Sequence, residues 1–157
     1  MITKLVTSLA LLVITNVYAG DLPNPAITPG AINPDVIQAN IQQTICIKGF
    51  TKTIRPRASY TNKVKKQQIH QYGYADANPK HYEEDHLIAL SIGGAPDDVK
   101  NLWPEPRNSE WNAAKKDQLE ITIYKMVCAN QISLVDAQQA MSGNWIEAWK
   151  KYVQVHH

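Results

Sequence analysis

The chain has 157 residues, 44% of them hydrophobic and 19% charged, with 16 basic and 14 acidic side chains for a formal net charge of +2. That length suits one domain, and the composition excludes overall disorder. The near-neutral balance also excludes reading a nucleic-acid partner from net charge, so any such reading must rest on where the charges lie.

Residues Met1 to Ala19 combine a basic Lys4, an apolar run LVTSLALLVITNV and a small-residue end at Val17-Tyr18-Ala19. This is the pattern of a secretory signal peptide cut after Ala19, and the run is shorter and more interrupted by Thr and Ser than a membrane span of about 20 residues. A secreted or periplasmic location is expected, with no membrane attachment after cleavage. Cys46 and Cys128 both remain in the exported part. In an oxidising compartment such a distant pair reads as one disulfide closing a loop of about 80 residues, worth on the order of 4 kcal/mol. Two buried free thiols are the alternative.

Residues 20–34 are rich in proline and poor in periodic apolar residues, which predicts a tether or loosely packed arm before a domain over 35–157. Asn33-Pro34-Asp35 offers a helix start, with Val36, Ile37, Ile41 and Ile45 on one apolar side. The stretch CIKGFTKTIRP, Cys46 to Pro56, alternates apolar and polar residues and predicts a short extended segment stopped at Pro56. Tyr60 to Tyr72 reads as a helix with Val64, Gln68, Ile69 and Tyr72 on one face. Lys63, Lys65 and Lys66 cluster at its start, next to Arg55 and Arg57. These five are either a solvated surface or a phosphate-contacting groove.

Tyr82 to Leu90 reads as a strand, and Ser91 to Lys100 as a turn-rich connection around Gly93-Gly94. Asn101-Leu102-Trp103 reads as a second strand ended by Pro104 and Pro106. Ser109 is the expected cap of one long helix to Cys128, marked by Trp111, Ala114, Leu119, Ile123 and Val127. Ser133 opens a further helix through Met141, and Asn144 a last one, WIEAWKKYV, whose aromatic face reads as core.

The ordered set YEEDHLIALSIGGAPDDVKNLWPEP, WNAAKKDQLE, VCANQISLVDAQQA and NW resembles the HNH, or His-Me finger (ββα-metal), nucleases, and most closely the small exported HNH-type proteins of bacteria. The resemblance implies an α+β fold with a small ββα-metal core and added N- and C-terminal helices. It implies hydrolysis of phosphodiester bonds in nucleic acid, in DNA with little sequence specificity, with Asp85 and Asn112 as metal ligands and His86 as general base. Asn101 takes the role of fixing the loop and orienting the histidine.

The chemistry supports those roles independently. Phosphodiester hydrolysis needs a deprotonated water and a cation against the charge that builds on the phosphate. An imidazole with an ordinary pKa near 6.5 accepts that proton at pH 7, and Asp85, its neighbour on a strand, points to the opposite face. Two protein oxygens with waters and phosphate suit Mg²⁺, with Mn²⁺ the next candidate. An Asn rather than a His at position 112 argues against Zn²⁺. Arg107, Lys115 and Lys116 are further candidates for phosphate contact by position, with a solvated surface role as the alternative. The expected partner is a nucleic-acid substrate, the expected state a monomer, and a toxin of this chemistry would add an immunity protein. The competing reading is an exported polyanion-binding protein with a degenerate HNH fold.

Overall fold

The computed structural model describes residues 20–154, so the signal-peptide reading of Met1 to Ala19 and the last three residues of the chain lie outside the described part. Among the described residues the α-helices and strands follow in the order α1 (Phe50–Ile54), α2 (Ala58–Gln71), β1 (Tyr82–His86), β2 (Leu102–Pro106), α3 (Ala113–Cys128), α4 (Leu134–Ser142) and α5 (Trp145–Tyr152). The fold is α+β. β1 and β2 pair antiparallel, from Tyr82 opposite Pro106 to His86 opposite Leu102. Pro104 sits inside β2 and does not end it, because each strand of a two-stranded sheet has an unpaired edge on which a missing N–H is harmless.

The proline-rich arm is not a tether. Gly30 N–H donates to Lys100 O at 2.9 Å and Asn33 N–H to Gly93 O at 2.8 Å, and Ala95 N–H donates back to Ala31 O at 2.9 Å. The buried Thr28 hydroxyl donates to Leu102 O at 3.0 Å and accepts from Tyr72 OH at 2.6 Å. The arm also turns on itself, with Ala26, Ile27 and Thr28 N–H all donating to Asn24, so that Gly30 and Asn33 are left to bind the 93–102 connection.

Cys46 to Pro56 does not form the extended segment that its alternation predicts. Gly49 adopts φ of 92°, which only glycine takes without strain, and turns the chain into the short α1. Arg55 then has ψ of 130°, as Pro56 requires of the residue before it. The expected helix after Pro34 is a 3-10 segment, Gln38–Gln43; Val36, Ile41 and Ile45 are buried as the apolar pattern asked, whereas Ile37, expected on the same side, is exposed.

α2 buries Val64, Gln68 and Ile69, and Gln68 Nε2 donates to Leu102 O at 2.7 Å and Val99 O at 3.0 Å, binding the helix to β2. α3 starts later than expected: Asn112, not Ser109, caps it by accepting from Lys115 N–H. Its buried face is Ala113, Lys116, Leu119, Ile123 and Val127, so Ala114 points outward. α4 and α5 begin at the Ser133 and Asn144 caps and close the core with Met141, Trp145 and Ile146. Trp111, just before α3, meets Trp145 and Trp149 edge-on at 6.2 and 5.4 Å.

Cys46 and Cys128 are disulfide-bonded with Cα atoms 5.7 Å apart across 82 residues of sequence, joining the segment before α1 to the end of α3. Replacing both with serine is expected to lower stability by about 2–4 kcal/mol in urea unfolding, since the bond restricts the unfolded chain. An unchanged midpoint would show that the bond adds nothing to the packing between these segments.

Candidate functional site

β1 alternates, and this splits its acids and its histidine between two faces. His86 is buried, and its Nε2 lies 2.8 Å from the carbonyl oxygen of Pro96. A carbonyl can only accept, so Nε2 carries the proton and Nδ1 keeps its lone pair. Nδ1 has no hydrogen-bond partner among the described residues. Burial holds the imidazole below its ordinary pKa. The Pro96 bond and Asp85 oppose that shift, and the charges of Arg55 and Lys116 add to it. His86 is therefore neutral at pH 7.

Asn101 is fully buried and organises the loop that carries Pro96. Its Oδ1 accepts from Ile88 N–H at 2.9 Å, and its Nδ2 donates to Ile88 O at 3.0 Å and Ala95 O at 2.9 Å. Fixing the Ala95 carbonyl fixes the next residue, on which His86 hangs. Gly94 is required at this crossing, because a Cβ there would lie 1.7 Å from Ile88 O.

On the other face Asp85 meets Lys116. The Lys116 ammonium is fully buried and donates to Asp85 Oδ2 at 2.5 Å, to His86 O at 2.9 Å and to Glu120. Burial would raise the Asp85 pKa, but the Lys116 charge and hydrogen bond bring it below the ordinary value. The same acids hold Lys116 charged against the cost of its burial. This corrects the expectation for Lys116: it is an internal cation with no surface for a phosphate. Two further acids join it. Glu120 is pushed up to about 7 by burial, against Lys116. Glu105, 1% exposed on β2, is raised well above the carboxylate range by burial and, when protonated, hydrogen-bonds Asp85. Glu105 was missed in the sequence. Its place two residues after Trp103, on the same strand face, was the available signal.

Glu84, on the His86 face, is pushed to about 8 by burial, with Lys65 opposing. Because Glu84, Glu105 and Glu120 all keep protons more tightly in the fold than in the open chain, the folded state binds more protons above pH 6.5. Stability is therefore expected to fall as pH rises from 6.5 to 8.5, through the folded-state values of about 7 for Glu120 and about 8 for Glu84. His86 is lowered and acts in the opposite sense, but only below about 6.5, its ordinary value. A urea midpoint that rises across that window would contradict this arrangement.

Asn112 is half-buried at the start of α3. Its Oδ1 accepts from Lys115 N–H at 3.2 Å and its Nδ2 donates to Ser109 O at 3.2 Å. Lys116, one turn on, links this helix start to Asp85. Among the described residues no group of three or more His, Cys, Asp or Glu side chains could hold a metal ion. A cation would rest on the two oxygens of Asp85 and Asn112 and complete its shell with water and phosphate. The donor chemistry fits a hard cation: every candidate donor is oxygen, Asp85 keeps 17% of its side chain exposed, and Glu105 Oε1 is buried without a hydrogen-bond partner among the described residues. Lys116 is the competing positive charge.

The remaining basic candidates separate into groups. Arg55 and Arg57 are exposed at the corner between α1 and α2, and Arg55 is close enough for its charge to act on His86. Lys65, Lys66 and Arg107 line one cleft, with Lys80, which the sequence reading passed over. Lys63 is exposed outside that cleft. Lys115 packs its ammonium over the Trp111 ring at 4.2 Å. A larger cleft of about 710 Å³ between α4 and α5 contains none of the residues named for the site.

No family model matches the chain, and neither a curated protein nor a solved structure matches it. Among the described residues no helix is long and apolar enough to cross a membrane.

Proposed function

We propose that the chain is an exported, metal-dependent endonuclease of the HNH type, secreted or periplasmic, which hydrolyses phosphodiester bonds of nucleic acid, DNA in particular, with little sequence specificity. The observation that carries this reading is His86: neutral, its Nε2 proton committed to Pro96 O, its Nδ1 lone pair unspent, and its loop fixed by Asn101. In that state Nδ1 takes a proton from the attacking water. Arg55 contributes positive charge beside it, where the phosphate would lie. The succession of β1, a glycine-turn connection, β2 and α3 is the order that a ββα-metal core requires. Asp85 and Asn112 would hold Mg²⁺ or Mn²⁺, which when bound supplies positive charge against the phosphate.

The purified protein should cleave plasmid, single-stranded DNA or RNA with Mg²⁺ or Mn²⁺ and stop in chelator. No cleavage of any of the three with either metal would overturn the reading.

One observation favours a second reading, a polyanion-binding protein with a catalytically degenerate HNH fold. Lys116 already occupies Asp85. On that reading neither Mg²⁺ nor Mn²⁺ shifts the melting temperature, nothing is cleaved, and nucleic acid binds in a salt-sensitive way.

A further inference from the structure

A cleft of about 490 Å³ opens at the Tyr82 and Pro106 end of the sheet, lined by Asn62, Lys65, Lys66, Pro79, Lys80, Tyr82 and Arg107. Four of these seven side chains are cationic, and no carboxylate among the described residues lines the cleft. The cations come from three separate parts of the chain: α2, the turn before β1 and the residue after β2. Lys65 Nζ is tied to Tyr82 O at 3.3 Å, and Arg107 is paired with the half-exposed Glu83 at 2.9 Å. Lys66 and Lys80 are exposed and have no carboxylate partner among the described residues.

Like charges converge on one concave surface at an electrostatic cost, and an anion in the cleft would remove that cost. The Asn62 amide adds a neutral donor of the kind that contacts phosphate oxygens. The cleft is also placed with respect to His86. Tyr82 and His86 are the two ends of β1, so the cleft and the imidazole are separated by about 13 Å along the strand. At ~3.4 Å of duplex axis per phosphate, one strand covers that separation in about four nucleotides. Arg55 marks the His86 end of the same path, and Lys65, whose charge also acts on Glu84, marks its middle.

We propose that this cleft is a second phosphate-binding subsite, which grips the sugar–phosphate backbone of a nucleic-acid strand a few nucleotides from the bond presented to His86. The choice of nucleic acid as ligand rests on the nuclease reading; the affinity for backbone phosphate rests on the cleft. The ligand is recognised by charge, so DNA and RNA strands both enter, and base identity does not matter.

The test measures binding without turnover. Fluorescence anisotropy of labelled 12-nucleotide DNA and RNA strands is recorded in chelator over a series of salt concentrations. Three forms of the protein are compared: wild type, Lys66→Gln/Lys80→Gln, and Lys48→Gln/Lys125→Gln, which makes the same change of charge at exposed lysines outside the cleft. Equal melting temperatures show that all three fold. The cleft pair is expected to bind about tenfold more weakly at low salt, with a log–log salt slope shallower by about two, while the control pair stays near wild type. No measurable binding by wild type, or equal losses in both pairs, overturns the subsite. Selective loss in a protein that cleaves nothing keeps the subsite and removes the nuclease reading. Cleavage with unchanged affinity in the cleft pair does the reverse.

Discussion

Replacing Lys116 with alanine is expected to lower stability by about 3–5 kcal/mol, the range for removing one partner of a buried ion pair. The side chain is fully buried, and its ammonium is the one positive group that Asp85, Glu120 and the His86 carbonyl share. Without it two carboxylates face each other in the interior with only protons to neutralise them. The sign of the pH response follows. In the wild type, Lys116 lowers the Asp85 pKa, so that contribution is present above the unfolded value near 3.9 and lost as pH falls below it. In the variant, burial alone acts and raises Asp85. Its contribution is then greatest below the unfolded value and is lost as pH rises through the folded one. The variant should therefore lie closer to wild type at pH 5 than at pH 8 in urea unfolding. Mg²⁺ that restores stability to the variant would identify Asp85 as an oxygen ligand for a cation. A variant as stable as wild type at pH 8 would show that the lysine does not hold β1 to α3.

Lys116 also shows where sequence reading stops. Three residues after Asn112 and four after it are equivalent positions in a pattern that asks only for reach, yet Lys115 lies over Trp111 and Lys116 points into the interior. The register of α3 decides between them, and Asn112 as the cap sets that register one turn later than Ser109 would. Long periodic segments were legible. α2, α4 and α5 lie where their apolar spacing places them, α4 and α5 with the expected Ser133 and Asn144 caps as well, because burial of one helix face is a local demand. The paired cysteines were legible from compartment and count. Cys46 to Pro56 was not, since a few alternating residues satisfy a short helix as well as a strand, and the positive φ of Gly49 decides the matter. The proline arm was misread because its partners, Gly93, Lys100 and Leu102, are some 60 residues or more downstream. For the site, Asp85, His86 and Asn101 could be singled out in sequence; the cleft that joins Lys80 to Lys65 could not, as it is assembled from separate elements.

On the proposed nuclease function, His86→Ala should slow phosphodiester cleavage by about two to four orders of magnitude, the usual contribution of a positioned general base. The loop presents a neutral imidazole, which the proposed mechanism uses as the base: Nε2–H donates to Pro96 O, Asn101 fixes the neighbouring Ala95 carbonyl, and burial keeps the ring from being protonated at pH 7. A base whose pKa lies below the ordinary 6.5 must also leave a mark on the rate profile. Wild-type activity should reach half its plateau below pH 6.5 and stay flat through pH 7, because the reactive form is the deprotonated one. A purely structural histidine would give no such profile, and its loss would appear in the melting temperature in proportion to the loss of rate. Imidazole added in solution should return part of the activity to His86→Ala, since the substitution opens space where the ring was. If His86→Ala cleaves as fast as wild type, the water is activated by another group, and Glu84, half-buried on the same strand face with its pKa pushed to about 8, becomes the residue to replace next.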